Sequence, residues 1–231
     1  MSLRTPNKAR IASAILRAGI SIDFDNLLAH CEFLIKSLAS ERQRFDDLVA
    51  IESKNLSDED QEYFGDVYAD EAWKLHDVFP SLQATSAFLL AYGMFEKTIN
   101  ELAREAGSAV SAKIKLSDLN GQGIERAKNF LSKVCQVEVP FASSEWDAIT
   151  IFAKLRNVMA HAFGELDLTR PDHRHILEYC KKQDNIKINR HSPDNDFAEI
   201  ELSLDYVVIV VKSFRKFLMG LCNFQVRAVT K

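Results

Sequence analysis

The stretch FAKLRNVMAHAFGEL, Phe152–Leu166, has the periodicity of an amphipathic helix and breaks it once. On a wheel of about 100° per residue, Asp147, Thr150, Lys154, Asn157, His161 and Glu165 form a polar stripe. Ile149, Phe152, Leu155, Met159, Ala160 and Phe163 form a broad apolar arc. Arg156 projects from the middle of that arc, about 140° around from His161. A guanidinium cannot shed its proton, so in such a place it needs an anion or a surface that keeps it hydrated. Two readings are open. Arg156 forms an ion pair with an acidic residue of a neighbouring helix, or it reaches along an interface or cleft to hold a phosphate.

Outward from this helix, apolar spacing of three and four residues predicts a long helix over 23–53, carrying Phe24, Leu27, Cys31, Leu34, Leu38 and Phe45. Ser57 is the expected N-cap of a second helix running to Val78, with Asp58, Glu59 and Asp60 at the positive end of its dipole. Pro80 is expected to break or kink the chain there, with Ser81 capping a third helix that ends near Gly107. Residues 108–121 read as irregular and 124–134 as a short helix. VPFASSEW supplies a turn and a serine cap for the helix of the opening stretch, expected over 145–163. DHRHILEYCKKQ reads as another short helix, NIKIN and FAEIELS as a hairpin with a polar tip, and 204–224 as a final helix. The expected fold is all-α, an antiparallel helical bundle of four to six helices with a small β-hairpin inserted before the last helix. Residues 1–22 are read as an N-terminal leader and 23–231 as one helical domain.

Composition agrees with that class. The 231 residues are 47% hydrophobic and 27% charged, with only eight Gly and five Pro, too few turn-formers for an all-β chain. The longest purely apolar runs, such as Ala87–Phe95, fall well short of the ~20 residues a membrane span requires, and nothing at the N-terminus resembles a signal peptide. Cys31, Cys135, Cys180 and Cys222 lie far apart with no metal-type spacing and are expected as packed, reduced thiols in a cytoplasmic protein. The net charge of −4 argues against generic nucleic-acid binding, but the charges are unevenly spread. Residues 41–77 hold twelve acidic and four basic side chains, whereas 206–231 hold five basic and no acidic ones.

The chemistry concentrates at Arg156, Asn157 and His161. Asn157 lies one turn before His161 on the same stripe, where it can hydrogen-bond the imidazole or a shared ligand. An imidazole that moves protons near neutral pH, a guanidinium that stabilises charge on phosphoryl oxygens and an amide that orients them suit phosphodiester chemistry. LRNVMAH, Leu155–His161, resembles the signature of the HEPN superfamily: an arginine, a polar residue directly after it, then histidine after four to six residues, late in a helical bundle.

The resemblance implies a metal-independent endoribonuclease, without cofactor, of the toxin or antiviral defence type. It implies a homodimer whose paired Arg156 and His161 meet across a cleft. His161 would act on the ribose 2′-hydroxyl or the leaving 5′-oxygen, Arg156 would hold the scissile phosphate, and Asn157 would position the reacting groups, leaving a 2′,3′-cyclic phosphate. RNA is the implied partner, with an antitoxin or a nucleotidyltransferase as regulator. The alternative is a HEPN-like module without activity that binds a nucleotide, RNA or protein. Other candidates are weaker. His173 and His175 at i, i+2 do not share a helix face, NGQG at 120–123 reads as a turn, and Tyr63, Phe64, Tyr68 and Trp73 are explained by helix packing.

Overall fold

The structure, a computed structural model, describes residues 8–56, 58–190, 192 and 195–229. Seven α-helices are present among them: α1 (Lys8–Glu52), α2 (Asp58–Trp73), α3 (Phe79–Ala109), α4 (Gly123–Lys133), α5 (Ser144–Ala162), α6 (Pro171–Cys180) and α7 (Leu204–Val229). Three strands, β1 (Glu165–Asp167), β2 (Ile186–Asn189) and β3 (Phe197–Leu202), form an antiparallel sheet ordered β1-β3-β2. The architecture is a mostly-α bundle with a small β insertion before the last helix, as expected.

Three boundaries differ from expectation. α1 begins at Lys8, so residues 8–22, read as a leader, are the first turns of the long helix, and Ile20 is buried. β1 is a third strand beside the expected hairpin, with Glu165 opposite Glu199 and Leu166 opposite Ala198. Pro80 does not break the chain. α2 runs through a π-helical turn, Lys74–Val78, straight into α3. In that turn the Phe79 N–H donates to Lys74 O, five residues back, and Pro80 has no N–H for the next carbonyls. Arg42 supplies the missing donors: its Nε donates to Leu75 O at 2.9 Å and its Nη2 to His76 O at 3.0 Å. The expected cap at Ser57 lies outside the described residues.

The chain divides into two compact units, Met1–Leu28 with Leu90–Asn157 and Ile209–Lys231, and Ala29–Leu89 with Val158–Val208. The first is centred on Phe214 of α7, whose ring stacks on Phe95 of α3 (centroids 4.3 Å apart) and meets Phe152 of α5 edge-on at 5.6 Å. Such ring pairs contribute about 0.5–1.5 kcal/mol each beyond the area they bury. In the second unit, Leu166, Ala198, Ile200 and Leu202 turn one face of the sheet inward, where Ile176, Leu177 and Cys180 of α6 and Tyr206 and Val207 of α7 are also buried.

All four cysteines are buried and unbridged, as expected. The helical run Gly65–Ala109 is, by length and composition alone, apolar enough to cross a membrane: it contains an 18-residue window of mean hydropathy 1.2, of which 33% is buried.

Candidate functional site

α5 begins where the sequence places it. Ser143 Oγ accepts the Trp146 N–H at 3.3 Å, and Glu145 and Asp147 occupy the first turn at the positive end of the dipole. Its buried residues, Trp146, Ile149, Phe152, Leu155, Val158 and Met159, follow the expected apolar arc, while Asp147, Lys154, Asn157 and His161 are exposed. Phe163 and Ala160 depart from the arc. Both are exposed, Phe163 by 84%. The helix ends at Ala162, and Phe163 and Gly164 turn away with φ of +49° and +96°, carrying the phenyl ring off the helix face. Glycine is required at 164, because an added Cβ would lie 2.4 Å from Ile200 O of β3.

Arg156 is half-exposed rather than buried, its side chain 36% accessible. Its Nη1 donates to Asn157 Oδ1 at 3.0 Å. Its Nη2 stands 3.7 Å from Glu96 Oε2 of α3, and the guanidinium carbon lies 5.2 Å from the ring centroid of Tyr92, one turn earlier on that helix. Burial, reinforced by the charge of Glu96, pushes the Tyr92 hydroxyl up to about 12, so the ring stays neutral beside the cation. The ion-pair reading of Arg156 therefore describes its ground state. The pair is loose and partly solvated, and the guanidinium edge stays open to water.

The structure joins Arg156 and Asn157 by a hydrogen bond. The His161 imidazole is exposed at the C-terminal end of α5, with no hydrogen bond from any described residue. Just beyond it in the chain, Phe163, Glu165, Phe197 and Glu199 line a cavity of about 270 Å³. Glu165 and Glu199 are paired in the register of β1 and β3.

No family model, no curated protein and no solved structure matches this chain. What the site can do rests on its own geometry.

The weaker candidates resolve individually. His173 Nδ1 accepts the Asp167 N–H at 2.9 Å, tying α6 to β1, and among the described residues no three His, Cys, Asp or Glu side chains gather as a metal would need. NGQG is a turn, with Gly121 and Gly123 at φ of +105° and +56°. Packing accounts for Tyr68, which meets Phe45 edge-on at 6.0 Å and donates to Glu52 at 2.6 Å. It does not account for Tyr63 and Trp73, which are 74% and 59% exposed. The side chain of Phe64 lies outside the described residues.

Proposed function

We propose that the chain is a HEPN-like, metal-independent endoribonuclease acting in the cytoplasm as a toxin or defence effector, with Arg156, Asn157 and His161 as its catalytic residues. The observation that carries this reading is the pairing of Arg156 with Asn157 on a helix whose next turn presents an exposed, unengaged imidazole. A phosphate approaching the open guanidinium edge displaces the loose Glu96 contact and gains a charge-assisted, bidentate partner. With the phosphate held, Asn157 orients the ribose and His161 takes the 2′-hydroxyl proton. The 2′-oxygen then bonds to phosphorus, the bond to the 5′-oxygen breaks, and that oxygen takes a proton from the His161 imidazolium or from solvent water as it leaves. The products are a 2′,3′-cyclic phosphate and a 5′-hydroxyl. A homodimer supplies two such sets.

One observation favours the non-catalytic reading, a module that binds a nucleotide, RNA or protein partner. Glu96 and Tyr92 already occupy Arg156, as they would if its task were to hold α5 against α3. Incubating the purified protein with RNA in excess EDTA, beside His161→Ala and Arg156→Ala, separates the two. The ribonuclease reading expects cleavage by the wild type alone, leaving cyclic phosphate ends. Intact RNA with and without metal, or cleavage that needs a divalent metal, would remove it.

A further inference from the structure

In the sheet of the second unit, the Ile200 N–H donates to Gly164 O at 3.0 Å and the Leu168 N–H to Asp196 O at 2.6 Å. The register pair Glu165 and Glu199 therefore falls between hydrogen-bonded pairs of β1 and β3. At such positions facing side chains approach most closely, and two like charges there destabilise the sheet. Both glutamates are exposed, and among the described residues neither forms an ion pair or a side-chain hydrogen bond. The cations beside them are engaged elsewhere. Lys187 of β2 reaches Asp77 at 3.7 Å and Glu201 at 3.4 Å, and Arg190 donates twice to Asn195 O.

The two glutamates line the cavity of about 270 Å³ together with Asn189, Asn195 and two phenyl rings, Phe163 and Phe197, which are 84% and 48% exposed. Phe163 has a positive φ, +49°, a backbone state that costs energy in a bulky residue and here carries the ring outward. Hydrogen bonds hold the polar rim: Asn189 donates to Glu201, and Asn195 Oδ1 accepts the Phe197 N–H at 3.0 Å. No cationic side chain lines the cavity among the described residues. A phosphate meets repulsion there. A metal ion finds too few ligands, since no three His, Cys, Asp or Glu of the described residues gather. A guanidinium fits both features: its planar face packs on aromatic rings, and its fork of N–H donors matches carboxylates.

We propose that this face of the sheet docks a protein partner through an arginine side chain seated in the cavity. The guanidinium bonds Glu165 and Glu199 and packs against Phe163 and Phe197, which offsets the cost of pairing like charges across the strands. Two phenyl rings so exposed offer more apolar surface than one cation covers, so apolar residues flanking the arginine complete the contact. None of Arg156, Asn157 and His161 lines the cavity, so the docking site stands or falls independently of the ribonuclease reading.

Titrating the isotope-labelled full chain with acetyl-Leu-Arg-Leu-amide, followed by nuclear magnetic resonance, tests it. The peptide is expected to shift the amides of β1 and β3 saturably. Its citrulline counterpart, neutral and of the same shape, is expected not to shift them over that range. Glu165→Gln and Glu199→Gln are each expected to weaken the arginine peptide about tenfold, the loss of one charge-assisted hydrogen bond. Phe163→Ala weakens it severalfold, as the loss of an exposed cation–π contact does. Asp70→Asn, which removes an exposed carboxylate of α2, leaves the affinity unchanged. Because Glu199→Gln relieves a repulsion, its melting temperature is expected at or above the wild-type value, which separates lost binding from lost folding. Should that variant melt lower, Glu165→Gln decides alone. Four results would overturn the proposal: no saturation, equal binding of the citrulline peptide, wild-type affinity in both glutamine variants, or an equal loss in Asp70→Asn. Shifts of the same amides by a single-stranded RNA hexamer and not by the peptide would also overturn it, assigning the face to nucleic acid.

Discussion

Arg156 and Glu96 stand 3.7 Å apart across α5 and α3, near enough to attract and too far for a short hydrogen bond. Both are partly solvated, so water screens the pair and its loss costs less than about 1 kcal/mol. If Arg156 holds a phosphate, as proposed, Glu96 competes with it. Glu96→Gln is therefore expected to lower KM for RNA severalfold with little change in unfolding midpoint, whereas Arg156→Ala abolishes cleavage. Cleavage kinetics beside urea titrations check both. An unchanged KM in Glu96→Gln would show that Arg156 does not meet the substrate.

His161 is expected to separate stability from activity. Because its ring is exposed and unbonded, His161→Ala should leave unfolding free energy within about 0.5 kcal/mol of the wild type. A general-base role predicts a loss of roughly 10²- to 10⁴-fold in cleavage rate. A destabilised variant with normal cleavage would invert both expectations.

Pro80 and Arg42 form a coupled pair. Removing the guanidinium strands the carbonyls of Leu75 and His76, so Arg42→Ala is expected to cost about 1–2 kcal/mol in urea unfolding. Pro80→Ala restores an N–H to the helix, and in that background the cost of Arg42→Ala should shrink. Strict additivity in the double-mutant cycle would contradict the proposed exchange of donors.

Gly164 tolerates no side chain. Gly164→Ala places a Cβ 2.4 Å from Ile200 O at a φ of +96°, and the Gly164 O···H–N Ile200 bond holds β3 in position. The expected loss is on the order of 2 kcal/mol or more, read as a lowered melting temperature. Gly93, whose surroundings are open, is the matched control and should accept alanine readily.

The thiols titrate late. Burial pushes Cys180 up to about 12 and Cys222 up to about 11, from an ordinary 9.0. The folded chain keeps these protons while the unfolded chain releases them. Their contribution to stability is thus complete below about pH 9 and is lost as the pH climbs through 11 to 12. At neutral pH a thiol reagent should modify all four cysteines only after denaturant is added, and rapid labelling of the native protein would contradict their burial.

Local pattern carried most of the architecture. The spacing of Ile149, Phe152, Leu155 and Met159 was enough to place α5 and its buried face, and alternation in Phe197–Leu202 was enough for β3. β1 was not legible, since three residues contain too little alternation to distinguish a strand from the end of a turn. The continuity through Pro80 was hidden for another reason. A proline reads as a break until a donor from 38 positions earlier is known to cover the carbonyls it leaves, and no local signal announces Arg42.

The same division runs through the candidate site. From the sequence alone came the helix, the arginine on its apolar side and the amide and imidazole on its polar stripe, because periodicity fixes directions around one helix axis. Only the tertiary structure decided what lies in those directions: Glu96 and Tyr92 against Arg156, open water at His161, and Phe163 swung outward by the left-handed turn at Gly164. A helix determines its own faces through bonds four residues long. What each face meets is set by contacts made across dozens of residues.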